Sequence, residues 1–526
     1  MGQGELARPD GTVLRWDEAG AGDPVVCLHG LSSTARSFHH QLRGLARDFR
    51  VVALDHRGYG RSDDGPTAPT LEDWAADAAA VIEVVGPPVH LVGSSFGALV
   101  GAAVARRRPE LLRSFTLASP TLGRGGLSAA EREAWRSARL ATINEDPAAR
   151  AAKMAGREAS PQALEVIEES VRRVRPDNYR AVVEAIAEAD AVPWLRELHL
   201  PVLVIAGAED RITGPPVATR AAAEVPGARL VLIPGAGHAV HLERPILFNS
   251  ALSAFLLEVG GVKPLRVGVC GAGAVGRQVI EGVALGMAGP ARVVAVAHRP
   301  GGETRLFDLA AHAGIALTDD PSRLPQLGAE VVVEAAGAEV ARSNLVAWTA
   351  AGSDVLLLSV AALADPEFEA ELRRRLRRSR GRVLVPAGAI GGLDALGAAA
   401  LAGLDEVSLT TVKPQHALDG RVDGSSEVLF AGSARAAAAA FPRNMNVAAT
   451  VALAAAGCGV EPMAELIADP VASHNRHRLV ARGTFGRIET LTENLPSPDN
   501  PRTSYLTGLS ALAALRRLRE PILVGA

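Results

Sequence analysis

Cysteine is almost absent from this sequence of 526 residues. Its three cysteines, Cys27, Cys270 and Cys458, lie far apart and form no Cys-x-x-Cys pair. An odd and dispersed set argues against a disulfide framework and against a zinc site, and it favours a reducing compartment. Apolar runs of transmembrane length are also missing, although 48% of the residues are hydrophobic. We therefore expect a cytoplasmic protein with no bound metal and no contact with a membrane.

An excess of either charge is lacking as well. The chain has 55 Lys and Arg against 58 Asp and Glu, a formal net charge of -3. Without a basic surplus there is no electrostatic footprint for nucleic acid, so small molecules are the expected partners. The length exceeds what one hydrophobic core supports and predicts two or more domains.

Short apolar runs alternate with helical patterns in the first half of the chain. Continuous apolar runs bounded by turn residues predict a parallel sheet with helices on both faces. Between about residues 121 and 200 the composition changes to Ala, Arg and Glu with little β-branching, which predicts a helical lid within a domain at 1–260. The six runs lie at residues 24–30, 49–58, 88–95, 112–120, 201–210 and 228–238.

The sequence Gly-Ser-Ser-Phe-Gly at 93–97 lies between one of these strands and a helix of small residues. That setting predicts a nucleophile elbow with Ser95 at its tip. A serine nucleophile needs a base, and the base needs a carboxylate that holds its tautomer. Asp210 closes a later strand and His238 follows the next one. We therefore predict that Ser95, Asp210 and His238 form a catalytic triad.

The backbone N–H groups of Leu31, after a flexible His29-Gly30 turn, and of Phe96 are the predicted oxyanion donors. With the segment DHRGYGRSD at 55–63, these motifs make residues 10–258 resemble the α/β-hydrolase family. The resemblance and the serine nucleophile imply hydrolysis of an ester, lactone, amide or C–C bond through an acyl-enzyme. His241 is interpreted as a capping or packing residue rather than a metal ligand.

The second half begins with the sequence GAGAVG after a strand. Gly271 allows a tight turn, Gly273 lets the backbone approach a pyrophosphate, and Gly276 lets helix and strand pack. The second strand ends in His298 and Arg299 rather than in a carboxylate that would hold a ribose 2′-hydroxyl. Arg299 is therefore predicted to accept the 2′-phosphate of NADP, and the cofactor is NAD or NADP.

The strand and helix rhythm predicts a Rossmann dinucleotide-binding domain at 265–388, completed by a C-terminal helix at about 501–526. From 389 to 500 the strands alternate polar and apolar residues, which predicts a mixed α+β catalytic domain whose sheet has one solvated face. The predicted fold class is thus α/β: a hydrolase fold with a helical lid, followed by these two domains.

Residues 265–517 resemble the L-aspartate dehydrogenase family, through SVAALAD (359–365), VPAGAIGGLDAL (385–396), FPRNMNVAATVALA (441–454), ADPVASHNRHRL (468–479) and LPSPDNPRTSYL (495–506). The resemblance implies that His477 is the catalytic acid/base. It places Ala389 and either Asn444 or Asn446 beside the nicotinamide, and it implies a homodimer. Imidazole suits the role because it titrates near working pH.

Some positions depart from the family pattern. Ala361, Ala387 and the pair His298-Arg299 differ from what is expected there, which bears on cofactor choice and on carboxylate recognition. His474 is the nearest competitor of His477. Lys413 could hold a substrate carboxylate, but a lone lysine after a strand is expected to face solvent.

These features together predict a bifunctional enzyme. The second half is expected to oxidise L-aspartate with NAD(P), through iminoaspartate to oxaloacetate and ammonia, and the first half to act as a serine hydrolase. Two alternatives remain open: a dehydrogenase for another small amino or hydroxy acid, and an NAD(P)-sensing module that regulates the hydrolase.

Overall fold

A computed structural model describes residues 2–299, 314–418, 425–497 and 500–525. The chain divides into two compact units, Met1–Val262 and Lys263–Ala526. Helix Pro245–Val259 ends the first unit at Gly260, and the first strand of the second unit begins at Leu265.

An eight-stranded sheet forms the centre of the first unit, in the order β1-β2-β4-β3-β5-β6-β7-β8. Strands β1 and β2 pair antiparallel to their neighbours, and β3 to β8 are parallel. The strands are β1 (Gly2–Ala7), β2 (Val13–Ala19), β3 (Asp23–Leu28), β4 (Phe49–Asp55), β5 (Val89–Ser94), β6 (Leu112–Ala118), β7 (Val202–Gly207) and β8 (Arg229–Ile233).

The six predicted apolar runs form β3 to β8. Strands β5 and β7 are buried at every residue, as expected of strands covered on both faces. The expectation of two covered faces is wrong for β8, which lies at the sheet edge and alternates between half-buried and exposed residues before the buried Ile233. Strands β1 and β2 extend the sheet at its other edge, and their alternating pattern is not the continuous apolar run that predicts a buried strand.

Helices connect these strands. Trp74 and Phe96 are fully buried in the main core of the unit and meet edge to face. Helices α4 to α8, here called the insertion helices, occupy the segment between β6 and β7 where the sequence predicts a helical insertion. The helices are α1 (His39–Gly44), α2 (Leu71–Val85), α3 (Phe96–Arg107), α4 (Ala129–Ala141), α5 (Pro147–Met154), α6 (Pro161–Arg172), α7 (Pro176–Glu188), α8 (Val192–Arg196), α9 (Pro215–Glu224), α10 (Val240–Glu243) and α11 (Pro245–Val259).

The second unit begins with a six-stranded parallel sheet in the order β11-β10-β9-β12-β13-β14. In chain order this is 3-2-1-4-5-6, the arrangement of a dinucleotide-binding sheet. Its strands are β9 (Leu265–Cys270), β10 (Ala291–Ala297), β11 (Ala316–Thr318), β12 (Val331–Glu334), β13 (Asp354–Leu357) and β14 (Val383–Leu384). Its helices are α12 (Ala274–Ala284), α13 (Ala338–Ala350) and α14 (Pro366–Leu376).

A five-stranded mixed sheet follows, in the order β16-β17-β15-β18-β19. Its strands alternate in burial, as predicted for a sheet with one solvated face. The strands are β15 (Leu404–Pro414), β16 (Glu427–Ser433), β17 (Met463–Asp469), β18 (Asn475–Gly483) and β19 (Gly486–Asn494), followed by the short pair β20 (Pro496–Ser497) and β21 (Asn500–Ser504). The helices are α15 (Leu393–Ala400), α16 (Ala434–Ala440), α17 (Asn446–Ala454) and α18 (Tyr505–Arg517).

The C-terminal helix α18 packs against α12 of the dinucleotide-binding sheet. A Cβ on Gly282 would lie 2.3 Å from Leu512 Cδ1, so a larger residue there would force the leucine side chain to move. Leu512 and Leu515 join the core formed by Val279 and Ile280. No helix in the described part of the chain is long and apolar enough to cross a membrane.

Candidate active sites

Ser95 lies on a sharp turn between β5 and α3. Its backbone has φ 53° and ψ -109°, a region that non-glycine residues rarely adopt and that costs about 1–3 kcal/mol. The flanking glycines permit the close approach of the two elements. A Cβ on Gly93 would lie 2.4 Å from the Gly97 carbonyl oxygen, and one on Gly97 would lie 2.2 Å from the Leu28 carbonyl oxygen. The strained turn holds the serine at the carboxyl end of the sheet.

The structure brings the three predicted triad residues together. His238 Nε2 lies 3.0 Å from Ser95 Oγ, and His238 Nδ1 lies 3.0 Å from Asp210 Oδ2. Asp210 also accepts hydrogen bonds from the Ile212 N–H at 2.8 Å and from the Thr213 hydroxyl at 2.8 Å. Burial alone would raise the pKa of Asp210, but the interaction with His238 and these donors lower it to about 2. The carboxylate is therefore ionised and fixes which imidazole nitrogen faces the serine.

The predicted oxyanion donors flank the serine. A Cβ on Gly30 would lie 3.2 Å from Ser95 Cβ, so the loop that carries Leu31 passes directly beside the nucleophile. Within the described ranges, neither the Leu31 N–H nor the Phe96 N–H donates to a protein acceptor. Both donors are thus available to a developing oxyanion.

Glu243 is a buried residue that the sequence motifs did not indicate. Its carboxylate accepts hydrogen bonds from the N–H groups of Gly237 at 2.8 Å and Ala239 at 2.9 Å, the residues on either side of His238. It also accepts one from Gly156 at 2.7 Å. Burial raises the pKa of Glu243, and the three donors oppose that rise. The carboxylate fixes the loop that presents His238.

His241 lies in the core rather than in a metal site. Its ring stacks on Phe38 with centroids 4.7 Å apart, and burial lowers its pKa to about 3. The described ranges contain no group of three or more His, Cys, Asp or Glu side chains that could hold a metal ion.

The glycine turn of the second unit has the geometry of a pyrophosphate cradle. Gly271 has φ 97°, and a Cβ on Gly276 would lie 1.8 Å from the Gly271 carbonyl oxygen. A Cβ on Gly273 would meet no protein atom within 4 Å, so packing does not require glycine there and the space is open to a ligand. Gly273 precedes α12 without a side-chain cap, which leaves the helix N–H groups free for an anion. The residues present fit a dinucleotide.

Arg299 lies two residues beyond the end of β10. That strand is the neighbour of β9, the strand that leads into the glycine turn. The Arg299 side chain is exposed, and the His298 N–H donates to the Thr318 carbonyl oxygen at 3.0 Å. The end of β10 itself therefore carries His298 and Arg299 rather than a carboxylate, on the side where a ribose would lie.

A cavity of about 180 Å³ brings residues from distant parts of the second unit together. Val275, on the first turn of α12, lines one side. His477 and Lys413 line the cavity from the five-stranded sheet. Its other predicted members are Ala389, Asn444 and Asn446.

His477 is buried near the start of β18, paired with Thr411 of β15 and Thr492 of β19. His477 is only 3% exposed. Its Nδ1 lies 3.1 Å from the Thr411 hydroxyl, which leaves Nε2 to face a ligand. Burial and the charge of Lys413 lower the pKa of His477 to about 3. Its competitor His474 is half-buried, lies 2.6 Å from the Ser473 hydroxyl, and does not line the cavity.

The expectation that Lys413 faces solvent is wrong. The residue is 5% exposed, because β15 is a central strand and its end is covered by the loops that close the cavity. Its Nζ donates to Asn444 Oδ1 at 3.3 Å, and no described carboxylate pairs with it. Burial lowers the pKa of Lys413 to about 8. A buried and unpaired ammonium beside His477 suits an anionic substrate group.

The two other predicted members of the cavity are fixed by hydrogen bonds. Asn446 Oδ1 accepts from the Ala361 N–H at 2.9 Å. The Ala389 carbonyl oxygen accepts from the Thr492 hydroxyl at 2.8 Å and from Asn494 Nδ2 at 2.9 Å. Ala389 and Asn446 therefore line a preorganised wall.

Comparison with known proteins gives three family matches. Residues 25–251 match the alpha/beta hydrolase family, residues 271–386 match the homoserine dehydrogenase NAD binding domain, and residues 394–518 match the aspartate dehydrogenase C-terminal domain.

Two similar relatives are L-aspartate dehydrogenases. That of Methanocella arvoryzae is 36% identical over 276 residues, which cover 49% of this chain and 99% of the relative. That of Ruegeria pomeroyi is 44% identical over 213 residues, which cover 39% of this chain and 77% of the relative. Among solved structures, a thermophilic esterase from Thermogutta terrifontis is 27% identical with a TM-score of 0.45, covering 49% of this chain and 99% of that one.

Proposed function

Since the chain belongs to the L-aspartate dehydrogenase family through its second unit and carries an α/β-hydrolase domain before it, we propose that it catalyses two reactions. The second unit oxidises L-aspartate with NAD(P), and the first hydrolyses an ester, amide or lactone with Ser95 as nucleophile. The prediction of an oxidoreductase fused to a hydrolase, with a Rossmann domain and an α/β-hydrolase fold, is confirmed by the family matches.

The cavity that joins His477, Lys413 and Asn444 to the first turn of α12 carries the dehydrogenase proposal. His477 and Lys413 line this cavity together with Val275 of α12, the helix that follows the glycine turn, which supports the proposal. When bound, the nicotinamide supplies the two-electron acceptor for the reaction. Gly271, Gly273 and the N–H groups of α12 would hold the pyrophosphate, and Ala389 with Asn444 or Asn446 would flank the nicotinamide.

His477 is the proposed general acid/base. As a neutral imidazole, Nε2 can accept the proton that the substrate amine loses as its carbon is oxidised to an imine. Once that proton has passed to solvent, the same nitrogen can take a proton from the water that adds to the imine and return it to the departing ammonia. The sum is L-aspartate, water and oxidised cofactor giving oxaloacetate, ammonium, reduced cofactor and one proton. Burial is the larger cause of the lowered pKa of His477, and the Lys413 charge adds to it. A substrate carboxylate against Lys413 would offset that charge and so make His477 a stronger base.

Lys413 is the proposed carboxylate anchor, and this role predicts a pH dependence. The anion binds the protonated ammonium, so affinity should be full below a pKa of about 8 and fall by up to tenfold per pH unit above it. The measurement is the inhibition constant of succinate, a dicarboxylate without a titrating amine, between about pH 7 and pH 10.

Two variants control this experiment. Lys413→Arg keeps its charge through the range, so its succinate affinity should stay flat with pH. Lys413→Met should bind succinate weakly at every pH. A wild-type affinity that is independent of pH, or an unchanged affinity in Lys413→Met, would place the anchor elsewhere.

Arg299 is the proposed selector of the cofactor phosphate. We expect NADP to be used at least as well as NAD, and Arg299→Asp to shift the ratio of kcat/KM values towards NAD, because it replaces an attractive charge by a repulsive one. Arg266→Asp is the matched control, since Arg266 is an exposed arginine at the opposite end of the neighbouring strand β9. A wild type that strongly prefers NAD, with Arg299→Asp merely weaker on both cofactors, would contradict this role.

Ser95, His238 and Asp210 supply the proposed hydrolase chemistry. Ser95 Oγ attacks the acyl carbon while its proton passes to His238 Nε2, and the N–H groups of Leu31 and Phe96 stabilise the oxyanion. The acyl bond breaks and the leaving group takes the proton from His238. Water then attacks the acyl-enzyme by the same route and regenerates the serine.

A second copy of this chain is the proposed protein partner, in line with the family resemblance. Exposed apolar side chains on the five-stranded sheet support a contact there, among them Val428, Met463 and Leu491. The other partners are small-molecule substrates.

A further inference from the structure

Helix α5 and the loop after it lie against the triad loops of the first unit. The Met154 carbonyl oxygen, at the end of α5, accepts a hydrogen bond of 2.7 Å from the His238 N–H. The Arg157 N–H donates to Glu209 Oε2 at 2.9 Å, and Glu209 immediately precedes Asp210. Helix α5 and the loop after it are thus hydrogen-bonded to the loop of the base His238 and to the loop of Asp210.

Arg150 extends the contact to the oxyanion loop. It lies on α5, and its Nη2 donates to Ser32 Oγ at 3.1 Å, one residue beyond the proposed oxyanion donor Leu31. Its guanidinium lies over the Tyr179 ring, 5.2 Å from the centroid. The residue is 8% exposed, and within the described ranges no carboxylate lies within ion-pair distance of it.

A buried arginine without a counter-ion is unfavourable, because desolvation of the charge is not offset. The buried guanidinium of Arg57, by contrast, is paired with carboxylates. It bonds to Asp77 through two nitrogens and to Asp10 at 2.9 Å. For Arg150, burial lowers the pKa, and the weaker opposing interactions with Tyr179 and Glu145 do not reverse that shift. Among the described residues, Arg150 is therefore a buried cation that has no carboxylate at ion-pair distance.

Space for that partner lies beside Arg150. A cavity of about 300 Å³ among the insertion helices is lined by Arg150, Arg172 and Arg180, together with apolar side chains that include Val171. Its one acidic lining residue, Glu145, is already paired with Lys153 at 2.8 Å. Arg172 is paired with Glu168 and Arg180 with Asp177. Among the described residues, Arg150 is thus the buried cation of this lining that an acidic group could bind.

We propose that Arg150 binds a carboxylate of the hydrolase substrate, so that the first unit selects esters or amides that carry a second, free carboxylate. The inference rests on the proposed role of Ser95 as nucleophile, and it adds the substrate class. The bond that breaks is the acyl bond at Ser95. The carboxylate at Arg150 is not transformed and serves to position the substrate.

A pair of covalent probes tests this in the full-length protein without knowledge of the natural substrate. One is an alkyl phosphonofluoridate whose chain ends in a carboxylate, and the other is its methyl ester. Each is attacked by Ser95 Oγ at phosphorus with loss of fluoride, and mass spectrometry of the Ser95 peptide gives the labelling rate. In the wild type the charged probe should react at least about tenfold faster than the neutral one, as expected for a charge-assisted contact. Arg150→Met should lower that ratio to about one, and Arg150→Lys should keep part of it.

The ratio of the two labelling rates distinguishes a contact with the substrate carboxylate from a general structural effect of the substitution. If Arg150→Met slows both probes equally, or if the wild type shows no preference for the charged probe, Arg150 does not bind the substrate carboxylate and the inference is wrong. If neither probe labels Ser95 in the wild type, the nucleophile assignment itself fails, and the inference that rests on it fails too. Labelling by the neutral probe alone contradicts only the inference.

Discussion

Ser95→Ala is expected to lower turnover of a p-nitrophenyl ester by on the order of 10⁴- to 10⁶-fold, since the acyl-enzyme route needs the serine oxygen. His238 and Asp210 remain in place in this variant, but they have no nucleophile to activate. The fold should be undisturbed, because alanine is smaller than the serine it replaces. The measurement is the initial rate of p-nitrophenolate release by the wild type and the variant at equal concentration.

Two readouts make this result specific. Reduction of NAD(P) with L-aspartate should be unchanged in Ser95→Ala, because the two sites share no residue. Ser114→Ala is the matched control, since Ser114 is a buried serine of β6 that bonds to His90 rather than to the triad. Ester turnover that persists in Ser95→Ala at close to the wild-type rate would remove Ser95 from the mechanism.

His477→Ala is expected to lower the dehydrogenase kcat by roughly 10²- to 10⁴-fold, the usual contribution of a positioned general acid/base. The dissociation constant of the nucleotide should change little, because the glycine turn and the N-terminus of α12 hold the pyrophosphate. Steady-state rates and a nucleotide titration of the same preparation provide both numbers.

His474→Ala is the control for this loss. His474 lies three residues earlier in the chain and outside the cavity, so its removal should cost little activity. A weaker nucleotide affinity with kcat retained in His477→Ala would assign His477 to cofactor binding. A larger kcat loss in His474→Ala would move the acid/base role to His474.

The triad and the glycine turn could be predicted from the sequence because each depends on local geometry. A nucleophile elbow needs small residues at fixed offsets from Ser95, and a pyrophosphate turn needs glycine at Gly271 and Gly276 where a Cβ would collide with backbone. The strand ends then place Asp210 and His238 at the same edge of a parallel sheet. His477 was predicted through the family resemblance rather than from spacing.

The sequence pattern does not reveal the burial of three charged residues, Lys413, Glu243 and Arg150. A single charged residue carries no periodicity, and its burial depends on which other elements cover it. Lys413 is buried because loops distant in sequence close over the end of β15. Arg150 is buried because Ser32 and Tyr179 meet on its two sides. These contacts follow from tertiary packing, which one sequence does not reveal.

The most direct test of the account is the reduction of NAD(P) by the full-length protein in the presence of L-aspartate, followed by the absorbance of the reduced nicotinamide. We predict reduction that depends on L-aspartate in the wild type and in Ser95→Ala, and that is nearly lost in His477→Ala. A wild-type protein that binds the nucleotide and leaves it oxidised with L-aspartate would contradict the proposed reaction and indicate a nucleotide-binding module attached to the hydrolase.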